Sequence, residues 1–203
     1  MNSNDRRTIL SLTVRTYFIR LFYNYNNLFG EGLCYCLSPA VRDSLLSSAL
    51  RENVLKKHMK FFNTSEYMSG LAIGIILRNA GEGEEKMESI KSVLSSVLGS
   101  IGDRLIYKLV VPVIVLTSLN LFASSRFQPD NYTVITVLSL LFLFNVFGFF
   151  LRYCGISFGL RNGIDSLKVF HSAAYKRITS SLRILRDVLA LILIINLIIV
   201  VFF

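Results

Sequence analysis

The sequence is poor in charge. Of its 203 residues, 17% are Asp, Glu, Lys or Arg while 53% are hydrophobic, and the mean hydropathy is +0.54. That balance lies well outside the range of ordinary soluble domains and marks a membrane protein. Histidine is scarcer still. His58 and His171 stand far apart with no metal-ligand spacing, and neither has a Ser or Cys nucleophile beside it. No catalytic constellation follows from these residues. The three cysteines, Cys34, Cys36 and Cys154, lie in or beside apolar surroundings and read as inert buried thiols, and a C-x-C pair alone is too little for zinc. Neither a metal nor another cofactor is expected. Self-similarity at periods of about 20 to 50 residues is missing, which excludes a solenoid. The start, "MNSNDRRTILSLTV", is not a signal peptide, because Arg15 and Arg20 interrupt the apolar patch and no small-residue cleavage site follows.

What the chain does have is long apolar runs. Val134 to Leu151, "VITVLSLLFLFNVFGFFL", carries no charge and approaches the roughly 20 residues a spanning helix needs. Leu105 to Ala123 is apolar apart from Lys108, which can snorkel to the interface, and Pro112 is expected to kink or interrupt that helix. Val188 to Phe203 is uncharged but short for a span. Between the first two runs, "SSRFQPDNY" contains Pro129 and Asn131 and predicts a tight hairpin turn. Residues 152–187 hold seven Lys or Arg against Asp165 and Asp187, a local net of +5, which the positive-inside rule places in the cytoplasm. That accounts for more than half of the total +9, so the sequence pI near 9.7 needs no nucleic-acid partner.

The N-terminal half is made of shorter pieces. In "EGEEKMESIKSVLSSVLGSIGD", Met87, Ile90, Leu94, Val97 and Ile101 recur at three- and four-residue steps and predict one helix face, with Glu82, Glu84, Glu85 and Glu88 at its start and Gly99 and Gly102 loosening its end. Asp103 follows, and two readings stay open. It caps a helix beginning near Leu105, or it is a carboxylate at the mouth of a membrane segment that needs a polar partner. Upstream, Leu55, His58, Met59 and Phe62 make a helical stripe that Asn63 and Thr64 stop, capping the next segment. That segment, Tyr67 to Leu77, is apolar but only about half a bilayer long. Broken apolar pieces with polar caps occur both in transporters and in ordinary amphipathic hairpins at a membrane surface.

Five ordered stretches carry a resemblance to the IID membrane component of the mannose-family sugar phosphotransferase system. "HMKFFNTSEYMSGLAIGIIL" resembles the family's "HLEFFNT" and the hydrophobic segment after it. "GSIGD", Gly99 to Asp103, is similar to its "G-x-GD" turn, and Pro112 falls at its "RP" proline. "LFNVFGFFLRYCG" resembles "LFN...RYYG", "GLRNGID" resembles "G...GID", and "NYNNLFGEGLCYCLSPAV" resembles "WNYERMQxLGFxYxLxPAL". The resemblance covers roughly residues 15 to 170.

It implies half of a transporter. A IID chain pairs with a IIC-like chain, the sugar lies between them, and cytoplasmic IIB and IIA phosphocarriers phosphorylate it on import. This chain would then contribute no phosphoryl-transfer nucleophile, and its status as an enzyme rests on the complex. The implied substrate-path candidates are Asn24, Asn26, His58, Asn63, Thr64 and Asp103, short polar groups able to hydrogen-bond sugar hydroxyls. Departures from the family pattern are concentrated in Tyr23 to Phe29, which keep the Asn-Tyr pair but lose the family's carboxylate and glutamine. Arg20 stands at a family glutamine, "YKLVVP" replaces "WGTxRP", and the family continues for about another third beyond Phe203. The resemblance therefore implies either a sugar-transport subunit or a membrane scaffold or regulatory relic that docks phosphotransferase partners without transport.

The expected architecture is an all-α protein of the bacterial inner membrane. Residues 1–104 form an N-terminal amphipathic part with re-entrant helices, 105–151 a transmembrane hairpin, 152–187 a basic cytoplasmic stretch and 188–203 a last transmembrane helix. By analogy with the family, partner contact is extensive, within a symmetric hetero-oligomer in the lipid bilayer.

Overall fold

A computed structural model describes residues 3–43, 58–125 and 130–202. These residues are helical with no strand among them. In order come α1 (Ser3–Thr16), a 3-10 turn (Ile19–Phe22), α2 (Gly30–Asp43), α3 (Ser69–Arg78), α4 (Glu84–Gly102), a π-helical stretch (Asp103–Val110), α5 (Val111–Ser124), α6 (Asn131–Asn162), a 3-10 stretch (Gly163–His171) and α7 (Ala173–Phe202). They form two compact units, one of residues 1–102 and 148–167, the other of 103–147 and 168–203.

The first unit is built around α3. Every residue from Ser69 to Ile76 is buried, so this ten-residue helix has no solvent face and draws its stability from packing. It packs on α1, α2 and α4. Against the C-terminal half of α6 it presents Gly70 and Gly74, and α6 presents Gly155 and Gly159 in return. A Cβ on Gly159 would lie 2.8 Å from both the Ile75 amide nitrogen and the Leu71 carbonyl oxygen, and one on Gly155 would lie 2.9 Å from the Leu71 nitrogen. Two G-x-x-x-G segments thus meet backbone to backbone, which is how helices approach closely where lipid leaves no hydrophobic driving force between them. The face of α4 turned inward is Met87, Ile90, Lys91, Leu94, Leu98 and Gly102. It lies one step round from the expected stripe, with Leu98 buried in place of Val97. Gly99 and Gly102 do not loosen the helix. Gly102 sits where a Cβ would run into Ser65 and Met68, so its smallness serves packing.

In the second unit α5 packs chiefly on α7 and on the π-helical stretch, not on the neighbouring α6. Asn120 Nδ2 donates to the Leu189 carbonyl at 3.0 Å, and Asn196 Nδ2 donates to Asn120 Oδ1 at 3.0 Å. These amides form a polar clasp inside an apolar interface. Thr117, Ser118, Thr136, Ser139 and Asn145 satisfy their donors on the carbonyl four residues back, so an apolar helix carries them without exposing unmet groups. The expected hairpin turn includes Arg126 and Pro129, which lie outside the described residues. Asp130 accepts from the Thr133 amide at 2.8 Å and so caps the start of α6.

Two internal prolines are handled alike. Each lacks the amide that would serve the carbonyl four residues back. Behind Pro39 that carbonyl is Tyr35's, which accepts from Arg15 Nη1 and from Ser38 Oγ, both at 2.9 Å. Behind Pro112 it is Lys108's, which accepts from Arg186 Nη1 at 3.2 Å. Pro112 therefore does not interrupt the helix as expected: the chain stays helical from Glu84 to Ser124, with a π-helical stretch ahead of the proline.

The basic segment is likewise not a loop. Residues 152–187 form the end of α6, a 3-10 stretch and the first half of α7, broken only near Ser172. Gly163, with φ of 56°, supplies the left-handed residue that ends α6. Three helical runs, Glu84–Ser124, Asn131–His171 and Ala173–Val201, are long and apolar enough to cross a membrane, and residues such as Leu138, Phe142, Leu191 and Ile195 are exposed along them.

Candidate functional site

Residues 23–30 and 58–68 fold into one polar knot in the first unit. Asn24 Oδ1 accepts from the Asn26 and Asn27 amides, each at 3.0 Å, and its Nδ2 donates to Asn27 Oδ1 at 2.8 Å. Backbone bonds between Asn24 and Leu28 close the turn and hold Leu28 at φ of 54°, a left-handed conformation that a leucine adopts only under such constraint. The Phe29 amide then donates to the Phe62 carbonyl at 2.8 Å, and the Phe62 amide donates to Asn27's at 3.2 Å.

The candidate residues take different places around this knot. Asn24 is half-buried and committed to bonds within the turn, while the Asn26 side chain is exposed. His58 and Thr64 are buried, and Asn63 is exposed. The hydroxyls of Thr64 and Ser65 are buried with no hydrogen-bond partner among the described residues. Asp103 is exposed and opens the π-helical stretch that continues from α4, so it does not start a new helix. Asn63 and Thr64 are not helix caps either. The cap position of α3 is Met68, which makes no side-chain cap bond, and Ser69 Oγ donates to the Glu66 carbonyl at 2.6 Å. The expected stripe through His58, Met59 and Phe62 fails because the helical turn ends at His58. Phe62 is buried in extended chain and Met59 is exposed, while Leu55 lies outside the described residues.

Asn63 borders a cleft of about 530 Å³ between the 60–63 segment and α4. Lys60 and Phe61 share its wall, and α4 contributes Glu88, Lys91, Ser92, Ser95 and Ser96. Spacings of three and four put those α4 residues on one face. Lys60 Nζ donates to Glu84 Oε1 at 2.8 Å and to Glu88 Oε1, and these two carboxylates hold its ammonium well above the ordinary lysine range. Ser95 Oγ accepts from the Asn63 amide at 3.2 Å, tying the two walls together. Asn63 was among the residues singled out in the sequence, and the α4 wall was not. The signal was present, because Glu88, Lys91, Ser92 and Ser95 form a polar stripe beside the apolar one.

Arg152 was also missed as an individual residue, because it was counted with the basic stretch. It is 4% exposed. Its guanidinium carbon lies 4.3 Å from the centre of the Tyr17 ring and 4.6 Å from that of Tyr67, and Nη1 donates to the Gly148 carbonyl at 3.1 Å. The planar cation thus joins the end of α1, the turn before α3 and α6 through aromatic faces. Burial, and then the nearby Glu66 carboxylate, raise the Tyr67 phenol above its usual value, so it stays neutral. Among the described residues no group of three or more His, Cys, Asp or Glu is placed to hold a metal ion. Cys34 and Cys36 are buried, and burial pushes their thiols up to about 11 and about 12. Cys154, expected to be buried, is exposed.

A model of the IID component of the mannose/fructose/sorbose family of phosphotransferase systems matches residues 4–201. The fructose permease IID component of Bacillus subtilis (strain 168) is 21% identical over 187 residues, 89% of this chain and 66% of its own. The sorbose-specific component of Klebsiella pneumoniae is 22% identical, covering 87% of this chain and 65% of its own. The mannose-specific component of Escherichia coli (strain K12) is 25% identical, covering 80% and 58%. The chain therefore spans less than two thirds of the length of these curated relatives. Its fold is similar to one in a cryo-EM structure of the mannose transporter ManYZ with microcin E492, with a TM-score of 0.67 at 21% identity over 94% of this chain and 69% of that one. A second solved structure, described as a membrane protein, gives 0.71 at 21% identity with the same coverage. The chain belongs to the IID components of the mannose/fructose/sorbose phosphotransferase family, all-helical proteins of the bacterial inner membrane.

Proposed function

We propose that this chain forms, with a IIC-like membrane subunit, the path of a hexose or amino sugar that IIB and IIA phosphocarriers phosphorylate on import. The observation that carries this reading is the family match through residues 4–201, whose relatives are described as fructose, sorbose and mannose components. The first unit supports it, since its polar knot and cleft offer hydrogen-bonding groups in a chain otherwise rich in apolar surface. Of the expected path residues, Asn63 is the best placed, at the cleft. His58 and Thr64 are buried and Asn24 is committed to the turn, while Asn26 and Asp103 stand at exposed positions open to a partner. The short buried α3 fits a re-entrant segment packed on α6, and the basic residues from Arg161 to Arg186 fit the cytoplasmic side. Exposed apolar faces on α6 and α7 are suited to lipid and to the partner in a symmetric hetero-oligomer.

The test is sugar binding and uptake by the complex that copurifies with this chain from native membranes, reconstituted in vesicles. Saturable uptake of one hexose or amino sugar is expected, with Asn63→Ala weakening it by about tenfold, the loss of one good polar contact. A complex that neither binds nor moves any such sugar overturns the reading and leaves the docking scaffold.

A further inference from the structure

We propose that a groove along one side of the α5–α7 pair holds an anionic phospholipid, its phosphate among Arg104, Lys108, Lys176 and Arg183 and its acyl chains on the apolar residues beyond them.

Charge ends at one level in both helices. No charged residue follows Lys108 through Ser124, and none follows Asp187 to Phe203. Arg186 Nη1 on the Lys108 carbonyl sets these two limits side by side. Asn120, bonded to the Leu189 carbonyl and to Asn196, then shows that the two helices run in the same direction. Each passes from cationic to apolar at the same depth, as at the plane where lipid headgroups meet their tails.

The exposed residues beside the contact form one groove. On the π-helical stretch and α5, Lys108, Val115 and Leu119 are exposed, each one position before a less exposed residue, Leu109, Leu116 and Asn120. On α7, Arg183, Ile194 and Leu197 are exposed, each one position after a less exposed one, Leu182, Leu193 and Asn196. Successive residues of a right-handed helix turn clockwise as seen from its N-terminus, so in parallel neighbours these two sets line the same side of the contact. Arg104, four residues before Lys108, and Lys176, seven before Arg183, extend the two lines on the charged side.

The four cations make no ion pair and no side-chain hydrogen bond among the described residues. Asp187 does not serve them, because Arg186 Nε and Nη2 both donate to its Oδ1, at 2.9 and 2.7 Å. Asp103, exposed beside Arg104, leaves the group strongly cationic. The positive-inside rule counts such residues without regard to the side of the helix they occupy; their alignment with an apolar stripe is what a lipid requires. A soluble phosphate would meet the cations and leave the groove bare, and a neutral lipid would fill the groove and leave the cations unmet. An anionic phospholipid does both, and the arginines offer the planar fork that suits phosphate oxygens.

The chain has no tryptophan, so a single introduced one reports alone. Val115→Trp places it seven residues, or about 10 Å, beyond Lys108, and Leu138→Trp, at an exposed position on α6, is the comparison. The full chain is reconstituted in phosphatidylcholine vesicles containing phosphatidylglycerol or phosphatidylcholine with brominated acyl chains, and quenching is compared. At position 115 brominated phosphatidylglycerol should be preferred about tenfold, falling about threefold with Lys108→Gln or Arg183→Gln and to near one with both. At position 138 the preference should stay near one, and brominated phosphatidylcholine should quench parent and variants alike. No preference at 115, an equal preference at 138, or a preference that survives both substitutions overturns the site. Inorganic phosphate, tested against chloride of equal ionic strength, should not relieve the quenching; if it does, the ligand is a soluble phosphate and the lipid is overturned. The complex purified from native membranes gives a second measurement. Mass spectrometry should find anionic phospholipid retained with the parent and lost with the double variant, and a parent complex that retains none means that a partner helix covers the groove, which also overturns the proposal.

Discussion

Gly159→Ala and Gly99→Ala are the same chemical change in two helices, and the structure requires them to act in opposite directions. At Gly99 a new Cβ meets nothing within 4 Å, so the change only removes backbone freedom from the unfolded chain and should stabilise by about 1 kcal/mol. At Gly159 the Cβ would sit 2.8 Å from the Ile75 nitrogen and the Leu71 oxygen, roughly 0.7 Å or more inside ordinary contact distance. Both neighbours are backbone atoms of the buried α3, so no rotamer change relieves the clash and the helices must separate. Overpacking of this kind costs about 1–3 kcal/mol and, set against the propensity gain of about 1 kcal/mol, leaves a net loss of up to about 2 kcal/mol. Thermal unfolding of the detergent-solubilised chain, followed by circular dichroism, should show Gly99→Ala raised by about 2–4 °C and Gly159→Ala lowered by up to about 8 °C. A Gly159→Ala protein that melts above the parent would refute the glycine-on-glycine crossing between α3 and α6.

Arg152→Gln should lower thermal stability by about 1–3 kcal/mol, and Arg152→Lys should restore only part of it, because an ammonium cannot stack on two tyrosine faces as a guanidinium does. Equal stability of all three proteins would contradict the aromatic clamp. Asn120→Leu should weaken the α5–α7 clasp by about 0.6–2 kcal/mol, and a double change with Asn196→Leu should be less than additive. For the proline carbonyls, Arg186→Met should destabilise by about 0.5–1.5 kcal/mol in the parent but less in Pro112→Ala, where an amide is regained; strict additivity in this cycle would mean the arginine does not serve Lys108. In folded protein at pH 8, maleimide should label Cys154 and leave Cys34 and Cys36 intact. A thiol raised to about 11 is ionised at about one part in a thousand at that pH, and raising the pH toward 11 should bring labelling only as the thiolates form.

Much of the membrane architecture was legible in the residues. Uncharged runs at 134–151 and 188–203 read as helices because length and hydropathy are properties of the chain alone, and the family blocks were visible as ordered strings. Legibility failed where a residue's role depends on what lies across from it. Pro112 reads as a break, yet the chain carries on through a π-helical stretch with Arg186 on the Lys108 carbonyl. Asn63 and Thr64 read as caps, yet they sit in extended chain because residues 24–29 pair with Phe62. Val97 was placed on the inward face of α4 by its spacing, while the packing chose Leu98 and Gly102, where Ser65 comes close. The charges at 152–187 read only as a basic stretch, although long basic side chains are compatible with helix.

By itself the sequence determined that this is an apolar, helical membrane chain, because composition and periodicity act locally and leave few alternatives in lipid, and its ordered blocks carried the resemblance to the IID components. Only the tertiary structure decided which polar groups meet. It buried Arg152 between two tyrosines, joined Asn63 to the serine face of α4, and set Gly70 and Gly74 against Gly155 and Gly159. Those pairings join segments as much as 135 residues apart, from Tyr17 to Arg152, and no local pattern encodes them, since each depends on close packing and hydrogen bonding between surfaces that exist only after the helices have docked.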